Sequence, residues 1–356
     1  MTADRVPIRE DLADVAPYGA PQLDVPVRLN NNETPHPPPP EFDAALSAAV
    51  AGLELNRYPD RRAVALRQRV AEREGLSADR VWAANGSNEV LLQLFLAYGG
   101  AGRRMLLFRP GYSAHPLIAR VSATATVEHD LPDDFRLTPD VASAAMAIRP
   151  DLVVVAHPNN PTGLPVPMES VRVLHDEGAG LVVVDEAYVE FGEASARALL
   201  DELPRLVVTR TFSKALRLAG LRLGYLLAHD WVIDDLRRVR LPYHLDALKL
   251  AAAEVAFDLH DRLSDHIPAV VGERERVRAS LGALPGVDVF PSSANFLLFR
   301  TAVPDLFDRL LARGVLVRDF SHSPRLEGCL RVTIGTPDEN DAFLEALRHT
   351  LGEVAA

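Results

Sequence analysis

The 356-residue chain reads as an α/β protein: a large domain built on a mostly parallel seven-stranded sheet sandwiched by helices, then a smaller α+β domain. Three observations predict this. From residue 81 onward, short runs rich in Val and Leu recur at 81–84, 105–108, 124–127, 152–156, 181–184, 206–208 and 224–228. Helical stretches separate most of them, at 88–97, 112–120, 138–148 and 167–177. Strands apolar on both faces and alternating with helices belong in a parallel sheet covered on each side. Past residue 245 the alternation stops, and a different order of elements begins.

Residues 1–40 read as an arm, because the run Pro35-His36-Pro37-Pro38-Pro39-Pro40 favours extended polyproline geometry. The large domain is expected over 41–245. It opens with helices at 41–52, closed by Gly52, and at 61–73, parted by a turn at Asn56-Arg57-Tyr58-Pro59-Asp60 where Pro59 disfavours helix at Tyr58. The small domain is expected over 246–356. It starts as one long helical region, 245–284, followed by strands at 287–290 and 295–299 and a helix at 304–313. Strands at 315–318 and 329–334 and a last helix from Pro337 complete it.

Composition narrows the function. A formal net charge of −11, without a basic cluster, argues against nucleic acid or an anionic membrane as partner. The single cysteine, Cys329, excludes an intramolecular disulfide and a cysteine-cluster metal site, and no metal is expected. No apolar run approaches the roughly 20 residues of a membrane helix, and the first residues carry no apolar signal core. A soluble cytoplasmic protein is expected.

In an open parallel sheet, ligands sit beyond the carboxyl ends of the strands. After 81–84 comes Asn85-Gly86-Ser87-Asn88-Glu89, whose glycine and small polar residues either present free N–H groups to an anion or simply cap a helix. After 152–156 comes His157-Pro158-Asn159-Asn160-Pro161-Thr162-Gly163, a turn restricted by proline on both sides. After 181–184 come Asp185, Glu186, Ala187 and Tyr188. A carboxylate half buried by position needs a cationic or protonated partner, which a structural salt bridge also provides. After 206–208 come Thr211, Ser213 and Lys214, with Arg222 eight residues on. Such a lysine suits a Schiff base beside an anion site; the alternative is a surface lysine in a polar loop.

Taken together, these strand ends match the demands of pyridoxal 5'-phosphate. Its aldehyde needs a lysine, and its pyridine nitrogen needs a carboxylate. Its phosphate needs hydroxyls, a helix start and an arginine. Its phenolic oxygen needs neutral donors such as Asn160 and Tyr188.

With these residues in place, the chain resembles the fold-type I pyridoxal-phosphate enzymes and, within them, the histidinol-phosphate aminotransferases. The matching pieces are Asn-Arg-Tyr-Pro-Asp (56–60), Gly-Ser-Asn-Glu (86–89), Arg-Pro-Gly-Tyr (109–112) and Pro-Asn-Asn-Pro-Thr-Gly (158–163). They continue with Asp-Glu-Ala-Tyr (185–188), Ser-Lys-Ala (213–215), Leu-Ala-Gly-Leu-Arg-Leu-Gly-Tyr (218–225) and Cys-Leu-Arg-Val-Thr-Ile-Gly-Thr (329–336). Residues 17–26 look like the actinobacterial branch.

The resemblance implies roles. Lys214 would bind the cofactor aldehyde and move the substrate proton, Asp185 would pair with the pyridine nitrogen, and Asn160 and Tyr188 with the phenolic oxygen. Tyr112 would stack on the ring. Gly86, Ser87, Asn88, Thr211, Ser213 and Arg222 would hold the phosphate, joined by Tyr58 from the other subunit of a homodimer. Arg331 would grip a carboxylate and Arg318 the substrate phosphate, with Tyr18 and Asn30 of the arm nearby. The substrates implied are L-histidinol phosphate with 2-oxoglutarate, giving imidazole-acetol phosphate and L-glutamate, in histidine biosynthesis. An aromatic amino-acid aminotransferase and an amino-acid-phosphate decarboxylase of the same fold are the alternatives; a cofactor-sensing regulator lacks its DNA-binding domain here. Two departures, His157 before Pro158 and Asn30-Asn31-Asn32-Glu33-Thr34 in the arm, bear on substrate preference.

Overall fold

The computed structural model describes residues 6–17, 19–178, 180–192 and 194–355. In chain order its strands are β1 (Val27–Arg28), β2 (Val81–Ala84), β3 (Arg104–Arg109), β4 (Ala125–Asp130), β5 (Leu152–Ala156), β6 (Leu181–Asp185) and β7 (Leu206–Thr211). They continue with β8 (Gly224–Leu227), β9 (Val287–Val289), β10 (Phe296–Thr301), β11 (Val315–Leu316), β12 (Arg318–Asp319) and β13 (Cys329–Thr333). Seven strands form one sheet in the order β2-β8-β7-β6-β5-β3-β4. Strands β3 to β7 pair in parallel, and β8 alone runs against both of its neighbours. The expected seven-stranded, mostly parallel sheet is therefore present, with helices on both faces.

Burial explains the apolar runs. Every residue of β5 and β6 is buried. Alternate side chains enter opposite layers: Val153, Val155, Val182 and Val184 join one core, while Val154 and Val183 join the other. This is the two-sided burial that a covered parallel sheet requires.

The second sheet, β12-β13-β10-β9, is antiparallel and carries the smaller core around Phe296, Phe299, Val332 and Phe343. Two expectations for this region change. The long helical region expected at 245–284 is three helices, Ala247–Asp258, His260–Ser264 and Ile267–Gly282, the last with proline in its first turn. The first two pack on the large side, since Ala253, Val255 and Ala256 of the first and Leu263 of the second belong to that core, as does Leu245 before them, so apolar contacts of the large layer run past residue 245.

The strand expected at 315–318 is split. Val315–Leu316 pairs in parallel with β1 of the arm, and Arg318–Asp319 pairs with β13. The arm is thereby tied to the small sheet's side of the molecule, and residues 30–33 are led across the carboxyl ends of the large sheet.

Candidate active site

A cavity of about 410 Å³ opens at those strand ends. Ser87, Asn88, Tyr112, Asn160, Asp185, Tyr188, Thr211, Ser213, Lys214 and Arg222 line it, together with Asn30, Arg318 and Arg331. Tyr18 lies outside the described residues. Tyr58 is elsewhere: it is 80 % exposed and stacks on Tyr243 with ring centroids 4.4 Å apart.

The anion end is built first by glycines. Gly86 precedes the helix Ser87–Tyr98 with φ of 82°, and a Cβ there would stand 2.8 Å from Arg222 Nη2. Gly224 of β8 lies so close that a Cβ would meet the Ser87 amide nitrogen at 2.4 Å. Neither Ser87 nor Asn88 is the helix cap, and no side chain caps this helix, so the plain-capping alternative fails. Its first N–H groups point their partial positive charge toward the cavity. Thr211 Oγ1 donates to Ser213 Oγ at 2.9 Å, and Arg222 Nη1 donates to the same oxygen at 3.2 Å. Two hydroxyls, a guanidinium and a helix start thus converge.

Alternation along β6 and beyond separates the two acids. Glu186 is fully buried and pairs with Arg210 at 3.0 Å, the structural salt bridge weighed above. Asp185 turns the other way, into the cavity. Its Oδ1 accepts from Thr209, its register partner on β7, at 3.1 Å, and its Oδ2 lies 3.2 Å from His115 Nε2. Sequence reasoning missed both partners. His115 stands three residues after Tyr112 on the buried face of the helix Ala114–Val121, and no local spacing ties it to Asp185.

Tyr188 Oη accepts from Asn32 Nδ2 at 2.9 Å and from Asn160 Nδ2 at 3.3 Å. Asn32 belongs to the arm motif noted in the sequence, but that motif does not reveal its place beside Tyr188. It is almost completely buried, and its amide side chain and backbone are fixed by Thr333 and Asn295. His157 does not face the cavity. Its Nδ1 accepts from the Val166 amide at 2.9 Å, and its Nε2 lies 3.0 Å from the Ala194 carbonyl, so the ring joins two loops.

Lys214 Nζ donates to the Asn31 carbonyl at 2.9 Å and lies 5.8 Å from the centre of the Tyr188 ring. Burial, and then the Arg331 guanidinium, push its pKa down to about 7, with Glu33 opposing and Arg222 assisting. At neutral pH a substantial fraction of the amine is therefore uncharged, the state a nucleophile or base needs.

Arg318 and Arg331 occupy directly opposed positions of the antiparallel β12–β13 pair. Arg331 is 6 % exposed, donates to the Asn30 carbonyl at 2.8 Å and also to Asn160 Oδ1, and packs over Phe296 and Phe320. Asn30 contributes through its carbonyl, since its side chain is turned to the Pro21 carbonyl. Like charges directly opposed across a ladder destabilise a sheet unless an anion lies between them. The site is shaped for a ligand with negative charge at two places, Arg222 at one end and the arginine pair at the other.

Residues 25–347 match the family model "Aminotransferase class I and II". The chain belongs to that family. It is 49% identical to a histidinol-phosphate aminotransferase of Frankia casuarinae, over 98% of this chain and 91% of that one. It is also 49% identical to one of Mycolicibacterium smegmatis, covering 97% of this chain and 95% of that one. Among solved structures it resembles the histidinol-phosphate aminotransferase of Sinorhizobium meliloti in complex with pyridoxal-5'-phosphate. That match has a TM-score of 0.84 and 26% identity, covering 93% of this chain and 92% of the other. The chain is an aminotransferase of the fold its sequence predicts.

Proposed function

We propose that this aminotransferase uses pyridoxal 5'-phosphate to interconvert L-histidinol phosphate and 2-oxoglutarate with imidazole-acetol phosphate and L-glutamate. The observation that carries the substrate reading is the opposed pair Arg318 and Arg331 in the cavity that holds Lys214. Relatives of that printed name at 49% identity support it.

The residues fit the cofactor. The backbone of Gly86, Ser87 and Asn88, with Thr211, Ser213 and Arg222, would take its phosphate. Asp185 would face its ring nitrogen, and Asn160 and Tyr188 its phenolic oxygen. Tyr112 would cover a ring face, and Lys214 would take the aldehyde. When bound, the cofactor supplies an electron-withdrawing ring that acidifies the substrate Cα–H.

The chain's own groups do the rest. Asp185, held by Thr209 and His115, keeps a proton on the ring nitrogen by charge. Asn32 and Asn160 orient the Tyr188 hydroxyl. Lys214 Nζ, whose pKa burial lowers to about 7, takes the proton from Cα in its neutral form. Arg331 grips the carboxylate of glutamate or 2-oxoglutarate, and Arg318 the phosphate of the other substrate; the planar guanidinium suits both anions. Phe320 and the arm's residues 30–33 shield the site from water.

A homodimer belongs to this reading. Tyr58 and Tyr243, stacked on each other, and the exposed Leu55 and Leu241 close to them in sequence are apolar side chains that a second copy would cover, bringing Tyr58 to the other cofactor's phosphate. Among the described residues no helix is long and apolar enough to cross a membrane, and a cytoplasmic location suits charged, phosphorylated substrates.

Borohydride reduction of the loaded protein followed by peptide mapping tests the cofactor assignment. Label on the peptide containing Lys214 is expected; label on another lysine, or none, overturns it.

A further inference from the structure

Beside the Lys214 cavity lies a second one of about 210 Å³. Its walls are Leu107, Leu131, Leu137, Val154, Leu164 and Leu326, each less than 5 % exposed. Tyr112 and Phe320 border both cavities. The Lys214 cavity is polar and charged, whereas this one is mainly aliphatic and aromatic.

Native interiors leave few voids larger than a water molecule. An aliphatic cavity of about 150 Å³ stays dry and takes benzene, which shows what a space of this size and lining accepts. The present cavity is somewhat larger, enough for one six-membered ring or a fused pair. It is also not sealed: Ser113, Pro165 and Pro324 at its rim are partly or fully exposed.

One end carries charge. Glu128 accepts from Arg109 Nη1 at 2.9 Å, and the same guanidinium also serves Asp130 at 2.8 Å. Two carboxylates share one cation, which leaves acceptor capacity and a negative balance at that end. A hydrogen-bond donor is favoured there, and an anionic substituent is repelled.

We propose that this cavity is a binding site for a neutral aromatic molecule of one or two rings bearing a donor group, with the ring among the leucines and the donor toward Glu128. Phe320 links it to the substrate end of the Lys214 cavity, because that ring lies 5.5 Å from the Arg331 guanidinium and 5.9 Å from that of Arg318. The leucines that would hold the ring do not border the Lys214 cavity, whereas Gly111, Tyr112, Ser113, Ala156 and Phe320 border both.

The test uses the cofactor-loaded protein and indole as probe. Calorimetric titration is expected to give saturable binding of one indole per chain, unchanged when glutamate saturates the other cavity. Crystals soaked with 5-bromoindole should show the bromine signal among Leu107, Leu137 and Leu326. Leu137→Phe, which fills the space, and Ser323→Trp, which blocks the rim without altering the core, should each weaken indole by at least about tenfold with turnover kept within about twofold. Should Leu137→Phe fail to fold, Ser323→Trp and the bromine position still decide. Benzoate, similar in ring but anionic, should bind at least about tenfold more weakly than indole. No saturable binding, bromine only in the Lys214 cavity, a folded Ser323→Trp protein that binds as the parent does, or benzoate equal to indole would each overturn the proposal.

Discussion

Replacing Lys214 by Met should make the cofactor-free protein more stable at acid pH, by a margin that shrinks as the pH rises. Burial and the nearby guanidiniums lower this amine from 10.5 to about 7. Each unit is worth about 1.36 kcal/mol, so holding the ammonium in the folded state costs roughly 5 kcal/mol. The cost is fully present below pH 7, where folded and unfolded chains both carry the charge. It declines between pH 7 and 10.5, where only the unfolded chain binds the proton, and it is gone above that. Wild-type stability therefore rises with pH across this window. Methionine has similar volume and no charge, but it gives up the hydrogen bond to the Asn31 carbonyl, about 1 kcal/mol. The net gain is about 4 kcal/mol at pH 6, on the order of 5 °C in melting temperature, shrinking to about 1 kcal/mol at pH 9. Thermal melts of both proteins without cofactor, at pH 6, 7, 8 and 9, measure this. A gap that does not change with pH, or a variant less stable at pH 6, would refute the reasoning.

Three other outcomes follow from the same geometry. Arg318→Ala should raise the KM for a phosphorylated amino donor by roughly 30- to 150-fold, about 2–3 kcal/mol of charge-assisted bonding, and change KM for an unphosphorylated donor far less. Steady-state kinetics with the two donor types decide. His157→Ala leaves the buried Val166 amide unpaired and frees the carbonyl of the exposed Ala194, and should cost about 1–3 kcal/mol of stability with KM unchanged; a shifted KM in a normally stable protein would contradict that purely structural role. His115→Phe removes one of two partners of Asp185, so kcat should fall about 10-fold while the KM for glutamate stays within about twofold. Equal loss in KM would place His115 in substrate binding instead.

The large sheet was legible because two-sided burial writes Val and Leu runs directly into the sequence, and strand ends can be counted from them. That is why Asn160, Asp185, Tyr188, Thr211, Ser213 and Lys214 could be named before any coordinates. What joins them was less legible. His115 and Thr209 meet Asp185 only through strand register and helix packing. Asn32 reaches Tyr188 only because β1 fixes the arm against β11. His157 sits three residues before Asn160 in sequence yet faces away from the cavity, since the turn directs its side chains to different sides. The opposition of Arg318 and Arg331 is a fact of β12–β13 register that thirteen residues of separation do not reveal. Apolar spacing likewise suggested one long helix where Pro268 marks the start of a separate one.

The central claim, that the Lys214 cavity transfers an amino group from histidinol phosphate, is tested most directly by a half-reaction. The absorbance of the cofactor-loaded protein is followed while histidinol phosphate, phenylalanine and glutamate are titrated separately. Complete conversion at low concentrations of histidinol phosphate, conversion by glutamate, and weak conversion by phenylalanine are expected. Tight, complete conversion by phenylalanine alone, or release of carbon dioxide in place of conversion, would contradict the account.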